Sequence, residues 1–183
     1  QQTRVAAALD YYRRFLEAFP TVEALAQAPE ERLMKLWEGL GYYSRARNLQ
    51  KAARQIVAGG GFPQEYQQWL ALPGVGEYTA AAVVSAAFGQ RQAAVDGNVL
   101  RLAARLTDCH EDILSPAVRR NVRRALEAVL PPAGEQMRIF NQATMELGAT
   151  VCVPKGEPRC QACPAREFCL GRLRGTAQAL PVR

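Results

Sequence analysis

Lysine is nearly missing from this 183-residue chain: only Lys35, Lys51 and Lys155 occur, so a span of more than a hundred residues in the middle has no side-chain amine. Chemistry that proceeds through a lysine Schiff base therefore has no nucleophile there. Histidine occurs once, as His110, with no partner motif, and reads as a surface or loop residue. No run of about 18 uncharged apolar residues exists, which excludes a membrane-spanning helix. No charged-then-apolar leader opens the chain, so a cytoplasmic location is expected. Alternating apolar patterns long enough for a sheet are missing too, as is any repeat of fixed period.

What is present is a globular composition, 49% hydrophobic, with a net charge of +6 carried almost wholly by arginine. A chain of this length holds one domain or two small lobes. Arginine forks bind phosphate bidentately and stack on bases, which suits a nucleic-acid surface. Solvated helix faces in an Ala- and Arg-rich chain give the same balance, so charge alone favours nucleic acid only slightly.

The apolar spacing predicts helices nearly throughout, and the fold class is all-α. Val5, Leu9, Tyr12, Leu16 and Phe19 recur at helical spacing until Pro20. Thr21 caps a short helix to Gln27, and Pro29 opens another that ends at Gly39 and Gly41. Further helices are expected from Ser44 to Val57, Gln64 to Ala71, Glu77 to Phe88, and Asp96 to Leu106. Ser115 caps one with a first-turn Pro116, running to Leu130, and the last spans Glu135–Leu147, ended by Gly148.

Cys109 stands alone and reads as a small packing residue. Cys152, Cys160, Cys163 and Cys169 crowd into a C-x7-C-x2-C-x5-C segment kept looped by Pro154, Gly156, Pro158 and Pro164. Four thiolates this close can surround one zinc ion or one iron–sulfur cubane, and spacing does not choose between them.

Leu72-Pro73-Gly74-Val75-Gly76 lies between two helices. Its glycines permit a tight turn that lets backbone N–H groups approach a phosphate. No strand precedes it and no Lys-Ser/Thr pair follows, so nucleotide-loop readings fail. A plain helix–helix turn is the alternative. Asp96 stands about twenty residues further on. It can cap the next helix, or face a sugar and stabilise positive charge developing at the anomeric carbon. Beside the hairpin and the cysteine loop, the catalytic reading is preferred.

Together these parts resemble the helix-hairpin-helix DNA glycosylases with an iron–sulfur loop, and most closely the MutY-type adenine-DNA glycosylases. The resemblance covers essentially the whole chain. It rests on Gln1-Gln2-Thr3-Arg4-Val5, on the block Trp37 to Leu49, on Asp96-Gly97-Asn98-Val99, and on Phe140-Asn141-Gln142 through Glu146-Leu147-Gly148-Ala149. It implies a six-helix barrel lobe over 1–92, with the hairpin at 72–76, and a helical lobe over 93–183 carrying a [4Fe–4S] loop at 152–169. The first cysteine spacing is one residue longer than the family's.

The implied activity is release of adenine mispaired with 8-oxoguanine or guanine in double-stranded DNA, after base flipping, by a monomer. Asp96 would stabilise the sugar cation, with Tyr78 and Asn98 in its network. Gln1, Gln2, Thr3, Leu40, Tyr42, Arg45, Gly74, Val75 and Gly76 would contact DNA, with one of Tyr42 and Tyr43 mostly core. The cluster ligands would be Cys152, Cys160, Cys163 and Cys169.

The resemblance places the base-protonating glutamate just before Gln1 and a Nudix-like domain after Arg183. This chain by itself is therefore expected to bind DNA better than it cuts a glycosidic bond. Glu77, beside Tyr78, has no family warrant for the acid's role. The rival readings are an endonuclease III-like glycosylase–lyase and a non-catalytic iron–sulfur DNA-binding protein. The lyase needs a lysine where this chain has Tyr78. Borohydride treatment of the protein on abasic DNA should accordingly trap no efficient covalent adduct, and an efficient side-chain adduct would defeat the monofunctional assignment.

Overall fold

The computed structural model describes the backbone of residues 5–182 and the side chains of residues 9–182. Gln1, Gln2 and Thr3, named above as DNA contacts, lie outside the described residues. Ten α-helices are present among the described residues, with no strand. Two compact units meet in the chain at Gly76 and Glu77.

The first unit holds α1 (Val5–Ala18), α2 (Val22–Gln27), α3 (Glu30–Trp37), α4 (Ser44–Ala58) and α5 (Tyr66–Leu70). Thr21 caps α2 as its sequence predicts, its hydroxyl accepting the Ala24 N–H at 3.2 Å. Phe19, Leu25, Leu33, Ala46 and Ala53 form the core, with Phe15 set edge-on to Phe19 at 5.1 Å and to Trp37 at 6.2 Å. The polar link is Gln50, buried on α4, whose Nε2 donates to the carbonyls of Leu25 (3.2 Å) and Ala28 (2.7 Å). The C-terminal carbonyls of α2 thus find donors without solvent.

The second unit holds α6 (Glu77–Phe88), α7 (Gly97–Thr107), α8 (Pro116–Val129), α9 (Glu135–Glu146) and α10 (Leu170–Leu173). The sequence reading put α6 in the first lobe; its contacts lie with α9 instead. Its buried face of Ala80, Ala81, Val84 and Ser85 brings the backbones close. Asn141 of α9 closes that contact by donating to Ser85 Oγ and to the Gln92 carbonyl, both at 2.8 Å, and accepting the Ala94 N–H at 3.2 Å. α7 is the central element, packed on α8, α9 and α10.

Two terminal signals read differently in three dimensions. Ser115 stands at the N-cap of α8 but its hydroxyl makes no capping bond. Gly148 does not end α9. The helix passes at Leu147 into one widened π-turn, Leu147–Val151, closed by the Cys152 N–H on the Leu147 carbonyl at 2.8 Å. Helical structure also enters the cysteine segment, as a 3-10 turn at Cys160–Ala162 and as α10.

α7 ends on Asp108 in the left-handed region (φ 54°). Its carboxylate accepts from the Thr176 hydroxyl, from Arg174 at 2.9 Å and from His110 at 3.2 Å, tying α7 to the turn after α10. His110 is otherwise exposed, at the surface as its sequence suggests. The Thr176 bond first, then the Arg174 bond, with the charges of His110 and Arg174 behind them, holds the Asp108 carboxyl below the usual range. A depressed folded-state pKa contributes stability above the unfolded value, about 3.9, and loses it as pH falls through the folded value. Asp108→Asn should therefore be less stable than the parent at pH 7, with the difference shrinking as the pH falls below 3.9. Urea unfolding across that window measures it.

Candidate functional site

The hairpin of the first unit turns where its sequence requires. Leu72 is buried with Ala52 and Ile56, Val75 is packed against them, and the Val75 N–H returns to the Leu72 carbonyl at 3.1 Å. Gly74 has φ +74°, and a Cβ there would stand 2.7 Å from the Asn48 Cβ. Gly74 and Gly76 are exposed and Val75 is half-buried. The turn thus presents backbone outward while its side chains face the core, the arrangement a phosphate needs.

The block around Trp37 forms a second surface feature. Trp37 Nε1 donates to the Gly41 carbonyl at 3.0 Å. Arg45 donates to the Leu40 carbonyl at 3.3 Å, and its guanidinium lies 5.5 Å from the ring centres of both Trp37 and Tyr42. Leu40 is half-buried. Tyr42 is a non-glycine residue at positive φ (48°) and is 63% exposed, while Tyr43 is 41% exposed. The expectation that one of the pair is mostly core is not met. The bends at Gly39 and Gly41 carry both rings out of the core that Trp37 enters.

In the second unit Asp96 is the N-cap of α7. Its Oδ1 accepts the N–H groups of Asn98 (2.9 Å) and Val99 (2.8 Å), and its Oδ2 accepts Asn98 Nδ2 at 2.9 Å. Capping and chemistry are compatible: the cap fixes one oxygen, and the other, with a single described donor, keeps acceptor capacity. Asn98 Oδ1 in turn accepts from Arg101 at 2.8 Å. The buried Arg101 also donates to the carbonyls of Gly148 (2.6 Å) and Cys152 (2.8 Å). A chain of hydrogen bonds thus runs from Asp96 through Asn98 and Arg101 to the first cysteine. Gly148 makes room for it, since a Cβ there would meet the Asn98 carbonyl oxygen at 2.7 Å.

Tyr78 is half-buried on α6, its hydroxyl donating to Met145 Sδ at 3.4 Å. Burial, and then the negative charge of Asp96, push its hydroxyl pKa up. It stays neutral at physiological pH and is no nucleophile. Glu77 is 66% exposed and paired to Arg123 at 2.7 Å, which gives it no part in this network.

Cys152, Cys160, Cys163 and Cys169 line one cavity, and none is in a disulfide. Burial, and then the neighbouring Cys169, Cys152 and Cys163, push the Cys160 thiol up. The cavity is partly open to solvent. Among the described residues no three His, Cys, Asp or Glu side chains converge closely enough to hold a single ion. Between the first two cysteines the chain makes an exposed bend over 154–157, whose base is closed by the Arg159 N–H on the Val151 carbonyl at 3.0 Å. Cys109 stays apart, packed against Leu100, Ala104 and Ile113.

Sequence reasoning missed Arg101 and Arg105. Their signal was two arginines four residues apart inside an otherwise apolar helix, a spacing that also describes a solvated face.

Residues 1–132 match the family model described as HhH-GPD superfamily base excision DNA repair protein. The chain is 45% identical to the adenine DNA glycosylase of Mus musculus over its full length. It is 34% identical to that of Buchnera aphidicola subsp. Baizongia pistaciae (strain Bp) over 94% of the chain. It spans 36% of the length of the mouse protein and 48% of the Buchnera one. Two solved structures share the fold. A thermostable thymine-DNA glycosylase has TM-score 0.79 at 27% identity, over 95% of this chain and 80% of its own. A non-covalent endonuclease III–DNA complex has TM-score 0.77 at 28% identity, over 95% and 79%.

Overpacking at Gly148 should cost about 1–3 kcal/mol. Gly148→Ala is expected to lower the urea midpoint accordingly, whereas Gly97→Ala, with nothing within 4 Å of its added Cβ, should change it little.

Proposed function

The chain belongs to the HhH-GPD superfamily of base excision DNA repair proteins, and within it we propose that it serves a monofunctional adenine-DNA glycosylase. The substrate is double-stranded DNA in which adenine faces 8-oxoguanine or guanine. The observation that carries this reading is Asp96: a carboxylate fixed by backbone donors on one oxygen, beside a tyrosine and with no lysine near it in sequence.

The hairpin backbone at Gly74–Gly76 holds a DNA phosphate, and Leu40, Tyr42 and Arg45 contact bases around the flipped adenine. As the glycosidic bond lengthens, positive charge grows on the sugar, and the free lone pairs of Asp96 Oδ2 face it. The network from Asn98 to Arg101 keeps that carboxylate from swinging away. Neutral Tyr78 forms no covalent adduct, so water completes the reaction and the DNA strand is left uncut. Gln1, Gln2 and Thr3 belong to the proposed DNA surface on the sequence resemblance alone.

The four thiols suit the [4Fe–4S] cluster that the family resemblance implies. A cubane takes four thiolates at its outer corners, and the four cysteines of this segment line one cavity. Bound there, the cluster cross-links the segment 152–169 and takes no part in breaking the glycosidic bond.

Purified protein should absorb broadly near ~400 nm, which zinc does not. Adenine release from A·8-oxoguanine duplexes, measured on protein carrying the residues naturally encoded around this chain, should fall at least about 100-fold in Asp96→Asn, with duplex affinity retained. No adenine release by cluster-loaded parent protein would overturn the proposal.

A further inference from the structure

Arg105 is almost fully buried, at 3% exposure, on the side of α7 that faces the cysteine cavity. Its Nε donates to the Leu180 carbonyl at 2.9 Å. Its NH1 donates to the Val153 carbonyl at 3.0 Å and to Cys152 Sγ at 3.3 Å. Its own main-chain carbonyl accepts from Cys169 Sγ at 3.3 Å. No carboxylate is among these described partners. A buried guanidinium surrounded by neutral carbonyls calls for an anion, and the group in reach that becomes anionic on binding metal is the Cys152 sulfur.

We infer that Arg105 is a positioning residue for the cluster: it supplies the counter-charge and an N–H···S hydrogen bond to the Cys152 thiolate, raising the cluster's reduction potential and slowing its loss. This rests on the [4Fe–4S] reading above. A charged donor draws electron density from the ligand sulfur and favours the more negative, reduced cluster. Arg159, Arg166 and Arg172 line the same cavity from more exposed positions, where solvent screens them. Arg105 acts from inside the protein, through a direct bond to a ligand. Its third partner, Leu180, ties the C-terminal segment to the same guanidinium.

The test uses cluster-loaded protein with Arg105→Lys and Arg105→Gln, each checked for native helicity by circular dichroism, and Arg172→Gln as a surface-charge control. Reduction potentials are measured at an electrode, and cluster loss is followed by bleaching near ~400 nm under an iron chelator. Arg105→Gln should shift the reduction equilibrium at least tenfold towards the oxidised cluster, about 59 mV for one electron. It should also bleach at least tenfold faster. Arg105→Lys, which keeps the charge and loses the planar fork, should fall between Gln and the parent. Arg172→Gln should change both readouts less than either.

If Arg105→Gln does not fold or load, Arg105→Lys decides: a lowered potential supports the inference and a native one overturns it. Native potentials and bleaching rates in loaded Arg105 variants overturn it while leaving the cluster reading intact. A parent protein without the absorbance near ~400 nm overturns both.

Discussion

Burying two cations one turn apart on a helix sets the terms on which the second unit folds. Arg101 and Arg105 are each 3% exposed, and both donate to main-chain carbonyls. Desolvated guanidiniums must be met by acceptors, and here most of the described acceptors are main-chain carbonyls from distant segments. Gly148, Cys152, Val153 and Leu180 all turn a carbonyl towards α7. The path of the chain through the cysteine segment and back along the tail is therefore the path that delivers those oxygens. The widened turn at Leu147–Val151 is part of the same solution, because it brings two of them to one guanidinium.

That constraint also reaches the helix cap at Asp96. An aspartate at an N-cap is commonplace and costs the fold nothing. What distinguishes Asp96 is that its neighbour Asn98 is itself held, from behind, by Arg101. The carboxylate is oriented by bonds that reach into the interior, so its position depends on the packing around Arg101. The solved structures of this fold bear names that differ in substrate at 27–28% identity. A shared scaffold with different side chains at a few positions is the usual way such differences arise.

Most helix limits were legible in the sequence because their causes are local. Pro20, Thr21 and Pro116 act within a turn of where they stand, and α1, α2 and α8 begin or end beside them. The cysteine spacing and Asp96 were legible for the same reason. The roles of Arg101 and Arg105 were not, because their partners lie 47 to 75 residues away and nothing nearby marks them as buried. Gly148 misled for a related reason. Glycine after a helix usually marks its end, but here it marks the closest approach of two backbones. Tyr42 and Tyr43 misled because aromatic residues usually pack, whereas these two stand on a bend that carries them outward.

The exposed bend over 154–157 bears on how relatives of this protein are found. Its two ends are joined by the bond between Arg159 and Val151, so residues added within it hang outside the ring and leave the thiols on either side where they were. The distance along the chain from the first cysteine to the second is then free to drift, while the C-x2-C interval is a single turn, closed by the Cys163 N–H on the Cys160 carbonyl at 3.1 Å, with no slack for an added residue. A search pattern that demands a fixed first interval would pass over this chain and others that have lengthened the same bend. One that fixes only the last two intervals would keep them.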